Sequence, residues 1–324
     1  MASRTTLITG SLLLLMAVVA FVVWRDDAVV EGGTEPVPIA EPQAGQYFEF
    51  PPDMEEYRAS VESSAMDYAT ASATAASTQH WESKLLGTPY LPAGTSYPLD
   101  IYGQPLQLLA QINFAELPRL AEFPQSGMLQ FFISPIESDE QIWGMRFYEE
   151  RVFDAQNYLD ILQRQDYFRV VFYPDVDRDA PQEPAPPVEI GYLPVNQEAR
   201  LEFRIETGVV TTADYRFEQL FNVDAYEFFD QFDQQGDLVW EEYDRYAGQY
   251  SIARVGGYAS FAQEDPRILA PDEDWLLLLQ LDSFRTADGV EVLWGDVGVG
   301  SFHIRREDLL NRDFSRVLYS WDSH

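Results

Sequence analysis

Apolar residues in this chain form one long block near the start and then a series of short runs. Residues 7–23 are apolar except for Thr9, Gly10 and Ser11, with Arg4 ahead of them and Trp24 and Arg25 behind. At about 1.5 Å of rise per residue, such a run reaches ~26 Å as a helix, near the lower bound for crossing a bilayer. The pattern predicts a membrane-spanning signal-anchor over residues 1–25. A cleaved signal peptide ending at Val18-Val19-Ala20 is the competing reading, but Phe21, Val22 and Val23 carry the apolar block past that point. The extra positive charge of the amino terminus orients the span, with the bulk of the chain beyond the inner (cytoplasmic) membrane. The alternative, after cleavage, is a secreted or periplasmic protein.

Residues 26–52 carry six acids, no bases and five prolines. That composition cannot bury apolar surface and reads as an extended acidic tether. Periodic patterning starts after it. Met54, Tyr57, Val61, Ala65 and Tyr68 recur at helical spacing behind Pro51-Pro52, with Asp53, Glu55 and Glu56 in the first turn, so a helix is expected there. Residues 53–82 are thus assigned to an N-terminal helix and its connection. Further helices are expected at 154–165 and 224–234. Strands are expected at 129–133, 168–173, 200–206, 275–281 and 299–304, with a hairpin turn at Ala287-Asp288-Gly289-Val290. Strands outnumber helices and no βαβ alternation is visible, so the pattern predicts a mainly antiparallel β or α+β domain.

The strands repeat. Leu108 to Asn113 (LLAQIN) matches Leu277 to Asp282 (LLLQLD) at an offset of 169, and Gly127, Phe131 and Ile133 match Gly298, Phe302 and Ile304 at an offset of 171. The change of offset falls in a connection, where insertion costs little. An internal duplication with a pseudo-two-fold axis is expected. The proline-rich stretch 180–187 marks the boundary between the two related halves.

Composition narrows the chemistry. The 324 residues include 54 acids against 21 bases, a formal charge of −33, and no cysteine. A chain this acidic repels a phosphate backbone, so nucleic acid is excluded as a partner. Thiolate nucleophiles, disulfides and zinc–thiolate sites are excluded outright. The acids are spread along the chain, which suits either a surface adapted to high salt or a neutralising partner of a basic protein.

The segment from Gly87 to Ile133, GTPYLP…LLAQINFAELPRL…GMLQFFI, resembles the YwqG-like bacterial family of unknown function. Gly256-Gly257-Tyr258 with Phe261, Gln263 and Asp265-Pro266-Arg267, then Leu277 to Asp282 and Trp294-Gly295-Asp296 with Gly298, resemble the same family's C-terminal motifs. The resemblance covers about residue 83 to the end. It implies a compact β roll-like domain and brings no activity or cofactor with it. Many members place a histidine just before the GGY motif, whereas Ser251 to Val255 (SIARV) has none here. Relatives look soluble, which makes the anchor and tether additions.

Seven residues are candidates for a ligand site. Gln111 and Asn113, and their counterparts Gln280 and Asp282, project from one strand face in each half, and would line a central site if the halves met at the axis. The structural alternative is an amide network that fastens the halves. Trp294 is a candidate sugar platform and Asp296, with Asp282 and Asp265, a candidate carboxylate for glycosidase-like chemistry. Asp296 as a turn cap is the plainer reading. His303 is the sole histidine in a confident strand, but it replaces Phe132 of the first half, which favours packing over catalysis. Asp175 to Asp179 has the opening spacing of a calcium loop but fails at Ala180 and Pro186, so no metal site is expected. Taken together, these features predict a tethered extracytoplasmic binding module, without catalysis or cofactor, for an unknown protein or glycan partner. A carboxylate-dependent hydrolase acting on the cell envelope is the alternative.

Overall fold

A computed structural model describes residues 48–147, 155–248 and 253–324. Fourteen strands occur among them: β1 (Met66–Ala75), β2 (Lys84–Leu85), β3 (Gln107–Asn113), β4 (Met128–Ile133), β5 (Gln141–Ile142), β6 (Met145–Arg146), β7 (Phe168–Tyr173), β8 (Ala199–Gly208), β9 (Ala253–Gly256), β10 (Trp275–Asp282), β11 (Phe284–Arg285), β12 (Glu291–Val292), β13 (Val299–Arg305) and β14 (Leu318–Asp322). Ten of them form one sheet in the order β14-β13-β10-β9-β1-β8-β2-β3-β4-β7, and every neighbouring pair is antiparallel. The pairs β5–β6 and β11–β12 stand apart as short hairpins.

The order is symmetric about its centre. β1 and β8, ten residues each, pair along their whole length. From β1 the sheet continues outward through β9, β10, β13 and β14; from β8 it continues through β2, β3, β4 and β7. Each arm therefore grows from the leading strand of the other half, because β1 precedes β2 in sequence but adjoins β9. The arms also share a defect at the matched position. Pairing shifts register between Leu108 and Ala110 in β3, and between Leu277 and Leu279 in β10. A bulge at this point bends the strand and increases its twist.

The bending has a visible result. β4 and β13 are seven positions apart in the sheet, about 33 Å if it were flat. Yet the rings of Phe131 on β4 and Phe302 on β13 lie 4.7 Å apart, and Phe168 on β7 reaches Tyr319 on β14 at 5.1 Å. The sheet is curled into a half-barrel whose arms close over a shared concave core of Phe131, Ile133, Phe168, Trp294, Phe302 and Tyr319. At the middle of the curve β1 contributes only Ala69, Ala71 and Ala73. Small side chains there leave room for the aromatic rings arriving from both arms.

A second core lies outside the sheet. Short helices at Arg58–Ser63, Arg216–Phe221, Ala225–Asp230 and Gly236–Ala247 gather Met54, Val61, Phe217, Phe228, Phe229, Val239 and Tyr243 into a cap. Gly236 permits its closest approach, since a side-chain carbon there would come within 2.7 Å of the Phe229 carbonyl oxygen.

Several expectations are corrected by this architecture. A short helix does precede the first strand, but the two related halves interlock within one sheet and do not meet across a linker. The helix expected from residue 53 ends at Ser63, after a 3-10 turn over Pro52–Tyr57, and Tyr68 already belongs to β1. The stretch 180–187 is strapped to the first arm, with Leu91 N–H donating to Gln182 Oε1 at 2.7 Å and Glu183 N–H to the Leu91 carbonyl at 2.7 Å. The expected membrane-spanning segment, residues 7–23, lies outside the described residues. Among those described, no helix is long and apolar enough to cross a membrane. The described fold therefore gives a single membrane-spanning segment no support.

Candidate functional site

In β3, Ala110 pairs with Phe131 and Gln111 with Gln130, so alternation places both glutamines on the convex face, opposite the ring-filled core. Gln111 is fully buried there under the loop that follows residue 78. Its Oε1 accepts from Tyr90 N–H at 3.0 Å and from Gln130 Nε2 at 3.0 Å, while its Nε2 donates to the carbonyls of His80 at 2.8 Å and Glu82 at 2.7 Å. Asn113 Nδ2 donates to the Trp81 carbonyl at 2.9 Å. Lys84, the chain's one lysine, is buried beside them and donates to the carbonyls of Gln79 and Thr88 at 2.7 and 2.8 Å. Burial pulls its ammonium down to about 8, with the carboxylates of Glu198, Glu82 and Glu116 opposing.

The second arm repeats the scheme. Gln280 Oε1 accepts from Ser260 N–H at 2.8 Å, and its Nε2 donates to Ser260 Oγ at 2.7 Å and Asp282 Oδ1 at 2.6 Å. Arg254, paired in register with Gln280 as Lys84 is with Gln111, donates to the Tyr258 carbonyl at 2.7 Å and the Gly248 carbonyl at 2.9 Å. Each arm thus uses a glutamine and a buried cation to fasten its covering loop. A glutamine amide in this setting is held on both sides, and removing it would strand buried donors.

Beneath the loop at 257–267 the second arm carries an ionic network that the first lacks. Arg267 donates to Asp214 at 2.8 Å and to Asp265 at 2.7 Å, and Arg216 donates to Asp214 at 2.7 Å. Burial opposes ionisation of Asp214, but Arg216 and Arg267 outweigh it and hold the carboxyl well below its usual range. His303 is fully buried against Phe261, ring centroids 5.9 Å apart, and neither ring nitrogen has a hydrogen-bond partner among the described residues. Burial, followed by the nearby Arg267, pushes its pKa well below the histidine range. A neutral imidazole closed off from solvent has no route to act as a general base.

The seven sequence candidates are therefore not brought together. Gln111 and Gln280 lie five positions apart in the sheet, roughly 24 Å along it, on the outward-curving face. Trp294 is fully buried, stacked into a cluster with Trp143 and Trp321, and offers no platform. Asp296 is exposed on the turn after it, Asp265 is committed to Arg267, and Asp282 is bonded to Gln280. Burial raises Asp282 to about 7 and Asp322, on the neighbouring edge of the sheet, to about 6. Val299 sits between these two in register, so Asp282 and Asp322 do not pair directly across the strands. Among the described residues no group of three or more histidines and carboxylates is placed to hold a metal ion.

Open chemistry appears instead where the two halves differ most. The link from β1 to β2 is residues 76–83, whereas the link from β8 to β9 runs over 209–252 and includes the cap helices. On the cap, Tyr226, Phe229, Asp230, Asp233, Gln234, Asp237 and Trp240 line a half-open cleft of about 400 Å³. The Trp240 ring stacks on Phe229 at 5.0 Å and meets the edge of Tyr226 at 5.0 Å. Tyr226 is 75% exposed, an extreme for a tyrosine in a folded cap. Trp240 is held from behind by a side-chain hydrogen bond to Asp244, which also accepts from Thr212 Oγ1 at 2.7 Å. Burial raises Asp244 to about 6 against those two bonds. Sequence reading missed this site because residues 224–234 register only as an amphipathic helix. The usable signal was the recurrence of aromatic and aspartate residues, Tyr226, Phe229, Asp230, Asp233, Asp237 and Trp240, at helical spacing without a cation between them.

A family model described as a domain of unknown function, DUF1963, matches residues 83–323, and the chain belongs to that family. No curated protein matches it.

Proposed function

We propose that this DUF1963 chain is a non-catalytic ligand-binding module whose binding site is the cleft of the helical cap. The finer YwqG-like assignment within the family rests on the GTPYLP, LAQIN and GGY motifs. One observation carries the functional reading: the cleft is a pre-formed concave surface with anchored aromatic walls, on the segment that breaks the symmetry of the half-barrel. Concave, aromatic-lined surfaces with a few convergent polar groups are the usual form of small-ligand sites. The scaffold beneath it supports this role, because Gln111 and Gln280 of the sheet are committed to fastening loops.

The test is ligand-observed NMR on residues 48–324 against a mixed set of small cationic, neutral and anionic compounds. Binders whose signals are lost on Tyr226→Ala support the reading. An absence of any Tyr226-dependent binder sinks it.

A further inference from the structure

Three features compete as sources of further chemistry. The fully buried His303 and Arg267 have unpaired nitrogens but are closed off from solvent. The apolar residues Ile136, Ile190 and Tyr192 are exposed together near the first arm, yet nothing indicates what covers them. The cap cleft combines volume, the exposed Tyr226 ring beside half-buried Trp240, and a single sign of charge.

Resting on the binding reading above, we propose that the cleft recognises an alkylated ammonium group, the head of a quaternary amine or of a lysine side chain. Tyr226 and half-buried Trp240 open onto the cleft, and Phe229 is buried behind Trp240. An aromatic face carries partial negative charge, so a cation seated within about 6 Å of two or three ring centres is attracted by each. Tyr226 and Trp240 meet at 66° and form an open corner, while Phe229, stacked on Trp240 at 29° and buried, backs the Trp240 ring from inside the cap. A corner offers more than one ring face to a rounded head group; a flat stack would favour a planar ligand.

Charge supplies the second part. Asp230, Asp233 and Asp237 line the same cleft, all exposed, and none of the three makes an ion pair among the described residues. The surrounding segment 216–248 holds nine acids against Arg216 and Arg245, and Arg216 is already committed to Asp214. An anion or a neutral polar ligand would find no donor side chain here except Gln234 and the Tyr226 hydroxyl. A methylated ammonium matches both halves of the lining, because its carbons contact the rings while its charge is met by the carboxylates. A bare metal ion fits less well, since it needs converging oxygens in place of ring faces.

The experiment uses the full chain and follows tryptophan fluorescence and calorimetry. The probes are choline, its neutral tert-butyl analogue, and a peptide carrying one trimethyllysine. Choline or the peptide should bind with roughly tenfold preference over the neutral analogue, and the stronger of the two identifies a small molecule or a protein tail as the source. Raising salt to about 1 M should weaken binding, since exposed carboxylates are screened. Tyr226→Ala and the double change Asp233→Asn with Asp237→Asn should each weaken choline binding several-fold while leaving the thermal melt in place, which separates loss of the site from loss of the cap. Equal binding of choline and the neutral analogue would overturn the cationic assignment and leave the binding reading standing. No binding by any probe, with binders of other charge found at the cleft by NMR, would overturn it likewise. Silence in both experiments would remove both readings.

Discussion

Gln111 and Gln280 hold equivalent posts on opposite arms, each accepting the amide of a loop residue, Tyr90 in one case and Ser260 in the other. Each buried polar group left without a partner costs about 1–3 kcal/mol. Gln280→Ala strands the Ser260 amide and removes a donor from Asp282, so it should lower the unfolding free energy by that amount, read as a lower urea midpoint at unchanged slope. A loss under about 0.5 kcal/mol, the range of an ordinary surface change, would contradict the fastening role. The carboxyls give a pH-dependent prediction. Asp282 is raised to about 7, and Asp322, Glu264 and Asp244 to about 6, all chiefly by burial. A carboxyl raised in the fold binds its proton more tightly folded than unfolded, so its stabilisation is complete below the unfolded value near 4 and fades as pH rises through 6 and 7. Asp214 works in the opposite sense, since its contribution is lost only as pH falls below about 4. His303, held below the histidine range by burial, opposes them as pH falls through about 6.5. With four carboxyls against one imidazole, the melting temperature should still rise on acidification from pH 7.5 to 5, and Asp282→Asn should flatten the upper part of that rise. A melt that falls over the same interval would refute the assignment.

β1 shows how much of an element can be read in advance. Residues 68–75 (YATASATA) alternate strictly, Tyr68, Thr70, Ser72 and Thr74 against Ala69, Ala71, Ala73 and Ala75. That is a period of two, but alanine against hydroxyl is a faint contrast, and a helical stripe runs into it from residue 54. The apolar strands β3, β4, β10 and β13 were legible because Leu, Phe and Ile are dense there, and their repeat pointed to the matched arms. The exchange of β1 and β8 was not, since no local residue type specifies which strand a neighbour will be. The helix Gly236–Ala247 was also unread, because its buried Val239 and Tyr243 are few among acids. The register of β1 is testable. Ala71 is 3% exposed and belongs to the shared core on the concave side, where a larger side chain has no free space. Ala71→Leu should cost about 1–3 kcal/mol by overpacking, while Ser72→Val on the exposed face should stay within about 0.5 kcal/mol. The reverse ranking in a urea titration would mean that the strand sits one residue out of place.

At the scale of the molecule, the stretch matched by the family begins at Ser83 and so leaves out β1, the strand on which the second arm is built. A chain starting at Ser83 loses ten cross-strand pairs with β8 and the contacts to β9. It should show no cooperative melt by circular dichroism, and co-expression with residues 48–82 should restore one. A cooperative melt at the full-length temperature would show that the sheet closes without β1.

The exchanged strands also order events during synthesis. β1 leaves the ribosome early, but its partners β8 and β9 follow more than a hundred residues later; Tyr68 pairs with Glu206 and with Gly256. At roughly 5–20 residues per second, the strand waits on the order of ten seconds with both edges open. A strand rich in valine or isoleucine would be an aggregation seed for that interval. Alanine, serine and threonine are weak seeds, so the small residues that let the half-barrel close also let the nascent chain wait.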